Sequence, residues 1–171
     1  SETVNFRSMA VAGPAGEEER ALTQIRAVDD LYPLVGRAKL APDIPLAQAL
    51  AGHNGRPGAV MERALVDRLD LQTGDHFRLG TQEFVLGAVL IRYPDNGSGG
   101  FGLGPRTIVL LDDLADSGLL VEGTLFNSEY RIDLPPEADL DALQAEIEVE
   151  FAQSGMDWRD ARRGADGAER F

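Results

Sequence analysis

Apolar positions recur along the chain with two different periods, and the switches between them outline the elements. Residues 3–12 (TVNFRSMAVA) alternate, with Val4, Phe6, Ser8 and Ala10 on one side and Asn5, Arg7, Met9 and Val11 on the other. This predicts a strand. A Gly13-Pro14-Ala15-Gly16 turn with Glu17–Glu19 comes next, and 20–28 (RALTQIRAV) reads as the partner strand of a hairpin. Residues 37–40 suit a short strand and 46–50 a helical turn. Between them and beyond, Pro42, Pro45, Pro57 and the Asn54-Gly55 pair make 42–57 the least regular stretch. Residues 59–61 look like a strand end, and Leu65, Val66 and Leu69 give 62–69 a short helical stripe.

The stretch from Leu69 to Leu120 packs several elements into quick succession. Strands are predicted at 75–80 and 82–92 around a tight Gly80-Thr81 turn, and the apolar run 84–91 implies burial on both faces of the second. A glycine-rich tip spans 94–104, a strand 106–111, and a turn of helix 112–116. In the last third, 124–134 reads as a strand ended by Pro135-Pro136. Asp139 caps a helix over 140–153 whose stripe is Leu140, Leu143, Ile147 and Phe151, and Ser154-Gly155 stops it. A final strand over 156–161 would complete a β-α-β unit whose helix lies on a sheet.

Composition narrows the function without naming it. The 171 residues are 43% hydrophobic and 26% charged, enough for one domain or two small lobes with a real core. The net charge of −13 disfavours a nucleic-acid partner, whose phosphates would be repelled, and docking on an anionic lipid surface. The absence of cysteine excludes disulfides, thiolate zinc sites and cysteine nucleophiles. No apolar run approaches the ~20 residues of a membrane-spanning helix, and no signal peptide is visible. The chain opens directly on a strand and closes on a polar tail, which suggests a piece of a larger protein.

Candidate chemistry is sparse. Gly97, Gly99 and Gly102 spell G-x-G-x-x-G, but the run leads to Pro105 and a strand, whereas dinucleotide binding needs a helix starting in the motif. No phosphate-binding G-x-x-x-x-G-K-[ST] sequence exists. His53 and His76 lie apart from each other and from any serine in a nucleophile-elbow sequence. Asp75 and Asp95 read as turn residues bonding local amides, and Asp29-Asp30 and Asp112-Asp113 as turn and helix-start residues. A single tryptophan, Trp158, argues against a sugar-lined carboxylate cleft. Neither a cofactor nor a metal is expected. Apolar Phe101 and Leu103 on the glycine-rich tip could mark a contact surface or fold back onto the sheet. With Tyr93 and Arg106 at the tip's two ends, they are the candidate substrate or partner contacts.

Five segments in series resemble the extracytoplasmic domain of ABC transporter permeases of the MacB/FtsX type: FRSMA (6–10), RAVDDLYPLVG (26–36), LDLQTGDHFRLG (69–80), FVLGAVLIRYPD (84–95) and LGPRTIVLLDDLADSGLL (103–120). The nearest branch is that of large permeases associated with lysophospholipase- or lipoprotein-related export; residues 41–56 match poorly. The resemblance implies an α+β, two-lobed periplasmic permease domain. A membrane-proximal lobe containing the β-α-β unit would comprise 1–36 and 121–171, with a mostly-β lobe, 37–120, inserted. It implies a non-enzymatic segment on the outer side of the bacterial inner membrane, coupling ATP-driven helix motion to export or binding a substrate or partner. The partners so implied are the rest of the permease, a cytoplasmic ATPase reached through it, and a periplasmic protein or a lipid or lipoprotein. A free-standing lipid- or peptide-binding module and a small carboxylate hydrolase are the rival readings.

Overall fold

The computed structural model describes residues 1–94 and 104–160. In chain order it contains β1 (Glu2–Ala12), β2 (Glu19–Val28), β3 (Lys39–Ala41), α1 (Leu46–Leu50), β4 (Gly58–Glu62), α2 (Arg63–Arg68), β5 (His76–Leu79), β6 (Gln82–Arg92), β7 (Arg106–Leu110), a 3-10 turn at Asp112–Leu114, β8 (Asn127–Tyr130) and α3 (Leu140–Glu150). The fold is therefore mixed, one large sheet with few helices. It divides into two units, Ser1–Ile132 and Asp133–Phe171. No helix among the described residues is long and apolar enough to cross a membrane.

In the first unit, six strands close on themselves. β1 and β2 form the expected antiparallel hairpin, in register from Thr3↔Val28 to Ala12↔Glu19, around a turn in which the Glu17 amide donates to Pro14 O. β2 then runs parallel to β7, β7 antiparallel to β4, and β4 parallel to β6. β6 pairs antiparallel with β5, and β5 returns to the far end of β1 through Ala10↔Leu79 and Ala12↔Phe77. Closing a sheet in this way leaves open edge only where a strand outruns its ring neighbours, as at the first residues of β1 and the last of β6. Two short strands lie off the ring: β3 on β6, and β8 on the first residues of β1.

Alternation along the strands sorts side chains into two cores. Phe6 and Ala10 of β1, Ile25 of β2, Ala59 and Met61 of β4, Leu79 of β5, Phe84 and Leu86 of β6 and Val109 of β7 all belong to one buried cluster. Residues from every ring strand can meet only inside the ring. Leu65, Val66 and Leu69, the stripe of α2, join the same cluster. Phe77 and Phe84, directly paired in register, stack with ring centroids 5.9 Å apart. The opposite faces contribute Val28, Val60, Ala88, Leu90 and Ile108 to a second cluster, covered by Leu40 of β3 and Ala49 and Leu50 of α1. The solid apolar run of β6 thus reflects burial on both sides.

Gly87 makes this switch possible. The β4–β6 register passes from Ala59↔Leu86 to Val60↔Ala88, so Gly87 is the extra residue of a β-bulge. A Cβ at Gly87 would stand 2.1 Å from the Ala49 carbonyl oxygen of α1, and one at Gly58 would stand 2.3 Å from the same atom. The two glycines form the floor on which the end of α1 rests.

β1 and β2 hydrogen bond directly to β5 and β7, so residues 1–36 belong to the same sheet as strands of 37–120. Two expectations are corrected. The strand expected over 124–134 forms only at Asn127–Tyr130, where β1 offers four partners. In the second unit, Asp139 does cap α3, its carboxylate accepting the Asp141 and Ala142 amides. However, 156–160 form no strand. Gly155 turns the chain at φ +71, and Trp158 Nε1 donates locally to Asp160. No residue of α3 is buried, so the β-α-β unit read from the sequence is not what these residues build.

Candidate functional site

β6 and β7 do not pair with each other; both flank β4, one parallel and one antiparallel, so Arg92 at the end of β6 and Arg106 at the start of β7 stand on either side of the end of β4. Tyr93 and Arg106 form a clamp there. Tyr93, just past β6, is 5% exposed and belongs to the outer core with Leu90 and Ile108. Arg106, the first residue of β7, stacks its guanidinium over the Tyr93 ring, 4.7 Å from the centroid, and its Nη1 donates to the Tyr93 hydroxyl. Glu62, where β4 ends, accepts the Arg106 backbone amide at 2.9 Å. Cation–π stacking, a charge-assisted hydrogen bond and a carboxylate on a backbone amide therefore fix Tyr93 and Arg106 relative to the ring.

Of the four residues expected as contacts, Tyr93 and Arg106 are brought together, while Phe101 and Leu103 lie outside the described residues, as do the three glycines of the G-x-G-x-x-G run. The next element after that run is a strand, β7, not a helix. Glu62 was not anticipated; an acidic residue closing a short strand gives no signal in sequence that it will meet an amide 44 residues on. Replacing Arg106 with methionine should keep the apolar cover of Tyr93 but lose the stack and the hydrogen bond. A loss of about 1–2 kcal/mol in urea unfolding is expected, with the Glu62 contact to the backbone retained.

The other polar groups serve local structure. His53 and Arg56 exchange backbone hydrogen bonds across a tight turn, and Arg56 Nε pairs with Glu83 at 2.8 Å. That guanidinium, donating a hydrogen bond to the carboxylate, lowers the Glu83 pKa. Asp75 accepts the Gln72 amide at 2.7 Å, the turn role expected of it. Burial pushes the Asp29 carboxyl up, but hydrogen bonds from the Glu2 amide and the Ser1 hydroxyl outweigh it and leave the pKa lowered. Ser117 Oγ donates to Leu114 O. Among the described residues no group of three or more His, Cys, Asp or Glu side chains could hold a metal ion. A shallow groove of about 430 Å³ is lined by Glu17, Glu19, Asp70, Asp75 and His76, and a cavity of about 90 Å³ by Asp29, Asp30, Tyr32 and apolar residues of β2 and α1. Neither reaches the clamp.

Asp113 is the exception among the described carboxylates, because its pKa is raised. Burial is the main cause, and the charge of Asp112 beside it adds to the effect. A carboxyl raised in the fold costs stability when ionised. The cost is full above the raised pKa and vanishes below the ordinary aspartate value of 3.8. Asp113→Asn should therefore raise the melting temperature at pH 7 by about 1 °C, solvent screening of this half-exposed group keeping the gain to about 0.3 kcal/mol. The two proteins should melt alike below pH 3.8.

No protein-family profile matches the chain. Over 128 residues, 75% of this chain, it is 27% identical to the uncharacterized ABC transporter permease YbbP of Escherichia coli K12, of which it spans only 15%. Its fold matches the crystal structure of the periplasmic region of MacB from Actinobacillus actinomycetemcomitans with a TM-score of 0.59 and 10% sequence identity, covering 100% of this chain and 76% of that one. The chain is accordingly a homologue of an ABC transporter permease, with the fold seen in the periplasmic region of MacB.

Proposed function

We propose that the chain is the periplasmic segment of an ABC transporter permease, standing on the outer side of the inner membrane and joined to the rest of the permease. There it passes on the ATP-driven movement of the membrane helices, powered by a cytoplasmic ATPase subunit. The observation that carries this reading is the 128-residue likeness to a permease. The closed ring supports it physically. A ring of six paired strands packed inside and out resists shear, and a transmitter of motion must move as a body and not deform. Tyr93, Phe101, Leu103 and Arg106 are then the residues that meet a substrate or periplasmic partner, Phe101 and Leu103 supplying apolar contact. The occupant would be a lipid, a lipoprotein or a protein of the periplasm.

The test uses the full-length permease with its ATPase in a strain lacking the native gene. Tyr93→Phe, Phe101→Ala, Leu103→Ala and Arg106→Met should each accumulate in the membrane at normal levels and keep ATP hydrolysis, yet fail to restore transport. Full complementation by all four would remove these residues from the mechanism.

A further inference from the structure

The seam between β1 and β8 is built unlike the rest of the sheet. All four residues of β8 are exposed, and none of them belongs to either apolar cluster. In place of apolar packing the seam carries a polar cluster. Thr3 pairs with Glu129, and Asn5 with both Asn127 and Arg26, so these side chains share one face of the sheet. Arg26 is 5% exposed. Its Nε donates to Asn5 Oδ1 at 3.1 Å, and its Nη2 reaches Glu129 Oε2 at 3.3 Å. Glu129 is exposed, and Arg131 Nη2 stands 3.8 Å from the same oxygen.

This cluster is not fully satisfied. Thr3 Oγ1 and Asn5 Nδ2 are buried without a hydrogen-bond partner among the described residues. The contrast with the ring is direct: Thr23 and Thr107, equally buried between β2 and β7, hydrogen bond each other at 2.8 Å. A buried polar atom left unpaired penalises the closed state, and opening to water relieves the penalty. Opening here would break a four-residue ladder, the Arg26–Glu129 pair and the Tyr130 hydroxyl's bond to Glu2. None of the β8 side chains belongs to either apolar cluster, although Ser128 lies opposite Val4 of the inner one.

We propose that β8 is a detachable strap, a strand that leaves β1 as a local unit while the six-stranded ring stays closed. Arg26–Glu129 is its catch, and the unpaired Thr3 and Asn5 atoms weaken its hold. The inference does not depend on the transport reading, since it concerns only the relative stability of two parts of one sheet.

Peptide-resolved hydrogen exchange of the 171-residue chain in native buffer tests it. Peptides covering Asn127–Tyr130 should exchange at least about 100-fold faster than those of β4 and β6. Thr3→Val, which removes the unpaired hydroxyl and keeps the shape, should slow strap exchange several-fold. Glu129→Gln, an exposed change that leaves the ring untouched, should speed it several-fold, with β4 and β6 unaltered in both proteins. Strap and ring protected alike, a strap indifferent to Glu129→Gln, or both parts shifting by the same factor would each overturn the proposal.

Discussion

Gly87→Ala is expected to destabilise the chain by about 3 kcal/mol and to lower its melting temperature by about 6–12 °C. The reason is steric. Gly87 is not among the glycines with positive φ, so alanine could adopt its backbone conformation without strain. What alanine cannot do is fit, because its Cβ would lie 2.1 Å from Ala49 O and 2.8 Å from Ala49 C. Both are backbone atoms at the end of α1, so no rotamer change relieves the clash. Either α1 lifts from β4 and β6, exposing Leu50 and Ala49, or the bulge at Gly87 flattens. Flattening would shift Ala88, Val89 and Leu90 by one position and turn each toward the wrong core. A natural domain has only about 5–15 kcal/mol of net stability to lose. Equilibrium urea unfolding monitored by far-ultraviolet circular dichroism reads the loss directly. A melting temperature within about 2 °C of the parent would mean that α1 is not seated on these glycines.

The second large effect is expected at Phe84, where alanine should cost about 3–5 kcal/mol. Phe84 is fully buried inside the ring and stacks on Phe77 of the neighbouring strand. Truncation leaves a hole walled by strands that hydrogen bond to each other around a closed circuit, so they cannot move together to fill it. An open sheet could relax by bending; a ring relaxes poorly, and the cost should fall toward the top of the range. Leucine at the same position should recover more than half of the loss. Equal stability of the alanine and leucine variants would show that the ring interior is loosely packed.

Much of the local structure was legible because it depends on local chemistry. The alternation in 3–12, the Gly13–Gly16 turn, the stripe of α2 and the Asp139 cap all rest on residues within one turn or one hairpin. The continuous apolar run of β6 correctly announced burial on both faces. The hidden part is non-local. Pairing of Gln24 with Arg106, or Ala59 with Val109, joins segments dozens of residues apart with no signal in either one, so the ring could not be read. Residues 156–160 show the converse failure: Met156 and Trp158 alternate as a strand would, but a strand needs a neighbour and these residues have no ladder partner among the described residues. At the candidate site, the sequence marks Tyr93 and Arg106 by their place at the two ends of the glycine-rich tip. Their stacking on each other, and the Glu62 contact beneath, depend on both β6 and β7 flanking β4.

The central claim, a permease segment on the periplasmic side, is open to one direct measurement. The chain contains no cysteine, so a single one can report its position. Leu125 is 92% exposed and makes no core contact. In the full-length permease, freed of any other cysteine, Leu125→Cys should react with a membrane-impermeant maleimide in intact cells whose inner membrane is sealed. Labelling only after the inner membrane is broken would place this chain in the cytoplasm and contradict the account.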